Sequence, residues 1–96
     1  MKAKAVVNTM RVDELRYSNN DFNMFCFNSL NRFGKGDWGD VCEADRIAND
    51  EALVDGYFVM GVYKTPLCEE GALWIVADTA DENGLRVITL LFPSEY

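Results

Sequence analysis

The chain has 96 residues, of which 49 % are hydrophobic and 26 % are charged, and its formal net charge is −7. This composition is typical of one globular domain with a single core and excludes an intrinsically disordered chain. The sequence contains no histidine, the residue most used as a general base and as a metal ligand, so we expect no catalytic residue, no metal and no cofactor. The excess of acidic side chains argues against direct binding of nucleic acid.

The cysteines and the hydropathy pattern indicate a reducing compartment. Cys26, Cys42 and Cys68 are odd in number and contain no C-x-x-C pair, which predicts free buried thiols rather than a disulfide framework or a zinc knuckle. No apolar run approaches the roughly 20 residues of a membrane span, and the N-terminal segment lacks the apolar region of a signal peptide. We therefore expect a cytoplasmic protein, neither secreted nor membrane-embedded.

The first third of the chain predicts one strand and one helix. β-branched residues and loose alternation favour a strand over residues 3–10. The capping residues of segment 18–21 then precede apolar positions at helical spacing, which are Phe22, Phe25, Cys26, Leu30 and Phe33. The pattern predicts an amphipathic helix that ends on a glycine cap at Gly34.

A glycine-rich acidic turn, residues 34–40, connects this helix to a second one. We interpret it as a corner between helices whose glycines adopt positive φ, because its spacing matches neither nucleotide-binding glycine motif. Asp40 and Glu43 have the spacing of a capping box, which predicts Asp40 as the N-cap of the second helix. That helix should end at Gly56 and pack through a narrow stripe of small side chains, which are Val41, Ala44, Ala48 and Ala52.

The last 40 residues predict three strands, over 57–63, 73–77 and 85–92, joined by short connections rich in turn residues. Asp78 and Arg86 are predicted to be cross-strand neighbours that form a structural ion pair. The expected fold is a single α+β domain over residues 1–96, with the order β-α-α-β-β-β. Its helices should lie on one face of an antiparallel meander, and the pattern leaves open whether the N-terminal strand joins the sheet.

The acidic turn and the helix after it form the candidate binding site. Residues 37–55 carry seven acidic side chains and one basic one. Trp38 is either a plug between the helices and the sheet or an anchor for a partner. We expect the site to bind a protein with a basic surface through Trp38 and six carboxylates, which are Asp37, Asp40, Glu43, Asp45, Asp50 and Glu51.

Two other functions are compatible with the sequence. The carboxylates of Asp37, Asp40 and Glu43 recur every three residues, a spacing that a small metal-dependent hydrolase or nuclease would use. Alternatively, the chain forms a structural homodimer in which an open strand edge pairs with its twin.

Several segments together resemble a known group of proteins. They are Leu30–Glu43 with its Gly-Asp-Trp-Gly-Asp turn, 49–53, 61–63, 74–75 and the terminal Leu-Phe-Pro-Ser-Glu-Tyr of 91–96. In these segments the chain is similar to the small "plasmid-related" proteins found on mobile elements of Firmicutes and other gut bacteria. That resemblance implies no catalytic residue. It implies genomic company among conjugation, replication and defence or counter-defence genes. Together with the acidic charge, this context leads us to expect an accessory protein of a mobile element that acts by protein binding, such as an acidic inhibitor or nucleic-acid mimic directed at a host defence protein.

Overall fold

The structure, a computed structural model, describes residues 1–96 and contains three helices and four strands. In chain order these are β1 (Ala3–Asn8), α1 (Met10–Ser18), α2 (Asn20–Gly34), α3 (Glu43–Asp55), β2 (Val59–Lys64), β3 (Ala72–Ala77) and β4 (Arg86–Leu91). A 3-10 turn over Pro93–Glu95 follows the last strand. The predicted α+β class is confirmed.

The four strands form one mixed sheet in the order β1-β4-β3-β2. The last three strands pair antiparallel, as the meander pattern predicted. The N-terminal strand does join the sheet, and it runs parallel to β4. The sheet is therefore not purely antiparallel, and β1 and β2 are its two edge strands.

Helix α1 was not predicted. Thr9 caps it, because the Thr9 hydroxyl accepts a hydrogen bond from the Val12 backbone N–H at 3.4 Å. Val12 is the only buried residue of the nine. A helix this short, with one buried side chain, produces no apolar period in the sequence, because almost all of its surface meets solvent.

Helix α2 agrees with its pattern. The Asn19 side chain accepts from the Phe22 backbone N–H at 3.1 Å and so forms the predicted N-cap. Phe22, Cys26 and Phe33 are fully buried, while Gly34 is the last helical residue and Lys35 takes the C-cap position. The helix therefore covers the sheet with the predicted face. Its C-cap, Lys35, lies one residue beyond the predicted glycine cap.

The core lies on one face of the sheet. Alternate residues of β2, β3 and β4 point into it together with side chains of α1 and α2, and they are Val59, Tyr63, Leu73, Ile75, Ala77, Ile88 and Leu90. Helix α3 has no buried residue, and its contacts with the sheet are with edge strand β2. The predicted placement of the helices on one face fits α1 and α2, whose buried residues enter this core, whereas α3 meets the sheet at its β2 edge and reaches the core through the partly buried Ala52 and Leu53.

Candidate functional site

The acidic corner, residues Lys35–Cys42, begins where α2 ends. Gly36 and Gly39 have φ values of 81° and 76°, as the interpretation of a positive-φ corner requires. The Asp37 carboxylate accepts two hydrogen bonds from the Arg32 guanidinium, at 2.8 and 3.2 Å, and one from the Gly39 N–H at 3.1 Å. These bonds, that of Arg32 first, lower the pKa of Asp37. Asp37 thus holds the corner to the end of α2.

Trp38 lies in the core, with 1 % of its surface exposed. Its ring meets the Phe33 ring edge-on at a centroid distance of 5.4 Å. Its indole N–H donates to an oxygen of Asp50 on α3 at 2.9 Å. A side chain this deeply buried cannot anchor a partner, so its position agrees with the interpretation of Trp38 as a plug and not as an anchor. It fills the space under the corner and positions α3 through Asp50.

The corner pairs with the outer edge of β2. The Val62 N–H donates to the Trp38 carbonyl at 2.9 Å, and the Asp40 N–H donates to the Val62 carbonyl at 2.6 Å. A Cβ on Gly39 would lie 2.1 Å from the Val62 oxygen, so only glycine permits this approach. The Asp40 carboxylate accepts from the Lys64 N–H at 2.9 Å. Asp40 therefore covers a strand edge.

The prediction of Asp40 as N-cap is accordingly wrong. Helix α3 begins at Glu43, and Cys42 occupies the N-cap position without a side-chain hydrogen bond. Cys42 is exposed and Cys68 is half-buried, so the expectation of buried thiols holds only for Cys26. Burial raises the pKa of the Cys26 thiol to about 11.

Helix α3 is attached to β2 through an asparagine. The Asn49 amide donates to the Met60 carbonyl at 2.8 Å, and its oxygen accepts from the Met60 N–H at 3.3 Å. Ala52 and Leu53 pack against the core next to it. Ala44 and Ala48 are exposed, so the predicted stripe is wrong in two of its members. A polar residue provides the main contact of this helix because it meets a strand edge, where backbone groups need partners.

Arg86 fixes the other end of α3. It is 3 % exposed, and its guanidinium donates to three backbone carbonyls, those of Tyr57 at 2.6 Å, Asp78 at 3.1 Å and Ala52 at 3.4 Å. The Asp78 carboxylate does not pair with it, so the predicted ion pair is wrong. Of these carbonyls only that of Ala52 belongs to α3, near its C-terminal end, where a positive charge is favourable. Arg86 thereby ties α3 to β4.

The predicted acidic contacts are unequally available. Arg46 forms ion pairs with Glu43 and with Asp50, and Asp37 is paired with Arg32. Asp45 and Glu51 are exposed and form no ion pair. No group of three or more Asp, Glu, His or Cys side chains is placed to hold a metal ion. Asp37, Asp40 and Glu43 each have a different partner, so they do not assemble the centre that the hydrolase hypothesis needs.

An apolar groove of about 320 Å³ runs between α3 and the side of β2 that faces away from the core. Its floor and walls include Val41, Ala48, Phe58, Met60 and Val62, and six of its nine lining residues are hydrophobic. Asp40 and Asp45 also line it and place negative charge at its border. We call this feature the acidic groove.

Sequence reasoning found the acids of this groove but missed its apolar floor. Met60 and Val62 alternate with the buried Val59 and Tyr63, and this period of two is the signal that they face away from the core. That α3 would lie beside this outer face could not be read from the sequence. Glu43 and Asp50, which both pair with Arg46, do not line the groove.

Two further concavities are more polar. One, of about 370 Å³, lies between α1 and the β2–β3 connection and is bordered by charged side chains, including Arg11, Glu14 and Glu70. The other, of about 510 Å³, has one hydrophobic residue among six. The first also has four hydrophobic lining residues beside three glutamates, but a cation lies among them, because Arg11 pairs with Glu70 at 2.9 Å.

No helix of the protein is both long enough and apolar enough to traverse a bilayer. Comparison with known proteins yields no match, whether with a protein-family model, with a curated protein or with a solved structure.

Proposed function

We propose that this protein is a non-enzymatic binding protein whose acidic groove holds an apolar, positively charged segment of another protein. The observation that carries the proposal is the combination, in one concavity, of six hydrophobic lining residues with the carboxylates of Asp40 and Asp45. Apolar contact supplies most of the affinity in such sites, and complementary charge supplies orientation and a fast approach.

The distribution of charge supports a groove more than a mimic of nucleic acid. A mimic needs a continuous array of free carboxylates, whereas Asp37 is paired with Arg32, and Glu43 and Asp50 share Arg46. The free acids Asp45 and Glu51 lie on either side of the exposed Ala48 in sequence. We therefore expect the groove to bind side chains of the partner, and we do not expect this protein to take the place of a phosphate backbone.

We further propose that the partner is a nucleic-acid-binding protein of host defence and that the chain is an accessory protein of a mobile element. This part rests on the resemblance to plasmid-related proteins and on the net charge of −7. Enzymes that bind nucleic acid present basic clefts, which an acidic protein can dock against.

Two matched substitutions test the groove. Ala48 and Ala44 are both exposed on α3, but only Ala48 lines the groove. Ala48→Arg should fill the groove and offset part of its negative charge, and we expect it to weaken binding at least about tenfold, or about 1.4 kcal/mol. Ala44→Arg should leave binding unchanged. Fluorescence anisotropy with a labelled peptide of alternating leucine and lysine residues measures both.

The same titration at low and high salt tests the role of the acids. Binding should weaken as ionic strength rises, because Asp40 and Asp45 are exposed and salt screens their charges. Equal affinities for the two arginine variants, or wild-type binding that is indifferent to salt, would refute the groove as the site. Circular dichroism of each variant establishes that it is folded.

A further inference from the structure

The outer edge of β1 has no partner in the chain. β1 is the last strand of the sheet, and β4 pairs with its inner side only. The Thr9 N–H donates inward to Leu90. Because backbone groups alternate in direction along a strand, Val7 also faces β4, whereas Val6 and Asn8 direct their N–H and C=O groups outward. An unpaired row of this kind is a template for another strand.

The other edge strand, β2, cannot supply the strand that pairs with β1 of a second copy. On β2, the outward groups of Met60 and Val62 are bonded to Asn49 and to the acidic corner, and the Lys64 N–H is bonded to Asp40. Head-to-tail addition of one copy to the next is therefore blocked. Among copies of this chain, only β1 can pair with β1, and such a contact is symmetric and closes as a dimer.

The side chains of β1 are compatible with antiparallel pairing to themselves. Segment 5–9 carries no charge, and 46 % of Val6 is exposed. In a register centred on Val6, the two Val6 residues face each other and Lys4 faces Asn8 of the second copy. Lysine on an edge usually discourages pairing. Here, however, the Lys4 ammonium lies 3.0 Å from Asp81, which neutralises it.

Helix α2 adds apolar surface beside this edge. The Phe27 ring is 50 % exposed, and the Arg16 guanidinium lies 4.9 Å above it. The same guanidinium donates to the Asn8 side chain at 3.0 Å, so Phe27 lies close to the end of β1. Half-exposed Val6 and Phe27 would both lose solvent contact if a second sheet continued the first.

We propose that two copies of this chain pair antiparallel through β1 and form a continuous eight-stranded sheet. The inference is independent of the proposed function, because the acidic groove lies at the β2 edge, at the other end of the sheet. The dimer leaves both grooves open and presents two binding sites to a partner.

A charge exchange at Val6 tests the pairing. Sedimentation velocity of the full chain, from about 1 μM to about 1 mM, should show a concentration-dependent dimer. Val6→Lys and Val6→Glu place like charges opposite each other, and each variant alone should dissociate at concentrations at least about tenfold higher than the wild type does. An equimolar mixture of the two should dimerise again, because unlike charges then face each other.

Three results would overturn the proposal. They are a wild-type chain that stays monomeric throughout, single variants that dimerise as the wild type does, and a mixture that stays monomeric although both variants are folded. Assemblies larger than dimers would also overturn it, because a symmetric edge contact closes.

Two single proline substitutions distinguish an effect on the dimer interface from an effect on folding. Val6→Pro removes an outward N–H and should give a folded monomer, since proline is tolerated on the open side of an edge strand. Val7→Pro removes an N–H that faces β4 and should lower the melting temperature. A Val6→Pro variant that still dimerises like the wild type would contradict the pairing.

Discussion

The two edges of the sheet solve the same physical problem in opposite ways. At β2, the acidic corner and Asn49 bond the outward backbone groups of Met60 and Val62. At β1, nothing in the chain covers Val6. Since an exposed strand edge tends to add strands, the covered edge limits assembly to one direction. Residues 38–40, which the sequence placed in the candidate binding site, therefore serve mainly to cover the edge of β2.

This contrast changes how the acidic residues are understood. Asp37, Asp40 and Asp50 each accept hydrogen bonds that hold the corner or α3 in place. A carboxylate that accepts such bonds contributes more to the stability of the fold than to recognition of a partner. Binding is then left to the apolar groove that the corner and α3 create together.

Gly39→Ala should open the β2 edge. The added methyl would meet the Val62 carbonyl at 2.1 Å in a backbone that already has positive φ. We expect a loss of about 3 kcal/mol or more in the free energy of unfolding, measured with urea, because strain and two backbone bonds are lost together. Gly84→Ala is the control, since Gly84 has the same φ of 76° and open space around it. It should cost about 1 kcal/mol, and equal losses at the two positions would contradict the close approach.

Asn49→Ala should uncover Met60 without straining the chain. The loss of both side-chain bonds should reduce the free energy of unfolding by about 2 kcal/mol. Asn28→Ala is a matched control, because Asn28 is exposed on α2 and forms no side-chain hydrogen bond. It should be neutral or slightly stabilising, since alanine favours helix.

Asn49→Ala also tests the comparison of edges directly. With Met60 uncovered, the beginning of β2 is open as well as β1, and light scattering should detect assemblies larger than dimers. A variant that loses stability yet keeps the assembly state of the wild type would show that the corner alone protects the edge.

Tyr63 should make the covered edge sensitive to alkaline pH. Its hydroxyl donates to the Asp37 carbonyl at 2.7 Å, and burial, together with the charge of Asp37, raises its pKa above the usual value of 10.0. The unfolded chain ionises first, so the stability that Tyr63 contributes is complete below pH 10 and is lost as the pH rises further. The advantage of the wild type over Tyr63→Phe, about 1 kcal/mol at neutral pH, should shrink above about pH 10.

Urea unfolding of both proteins between about pH 8 and pH 11 measures this effect. Both share the decline due to Cys26, whose ionisation in the unfolded chain begins near its usual pKa of 9.0, so their difference isolates Tyr63. A difference that stays constant across this range would contradict the assignment.

Local patterns predicted the elements whose signal lies within a few residues. The Asn19 cap, the apolar face of α2 and the three antiparallel strands all follow from capping chemistry and periodicity. Helix α1 was missed because only Val12 is buried. The inward face of α3 was assigned wrongly because alanine spacing suggested a packing stripe, whereas the helix meets a strand edge through Asn49.

The α+β class, the three-stranded meander, the glycine corner and the excess of acidic side chains around it follow from composition and local spacing. The packing of distant segments, which only the structure shows, makes β1 run parallel to β4, buries Trp38 and bonds Asp40 to β2. It also makes Met60 and Val62 the floor of a groove. Each of these features depends on contacts between segments that are far apart in the chain. Such contacts produce no periodic pattern in the sequence of either segment.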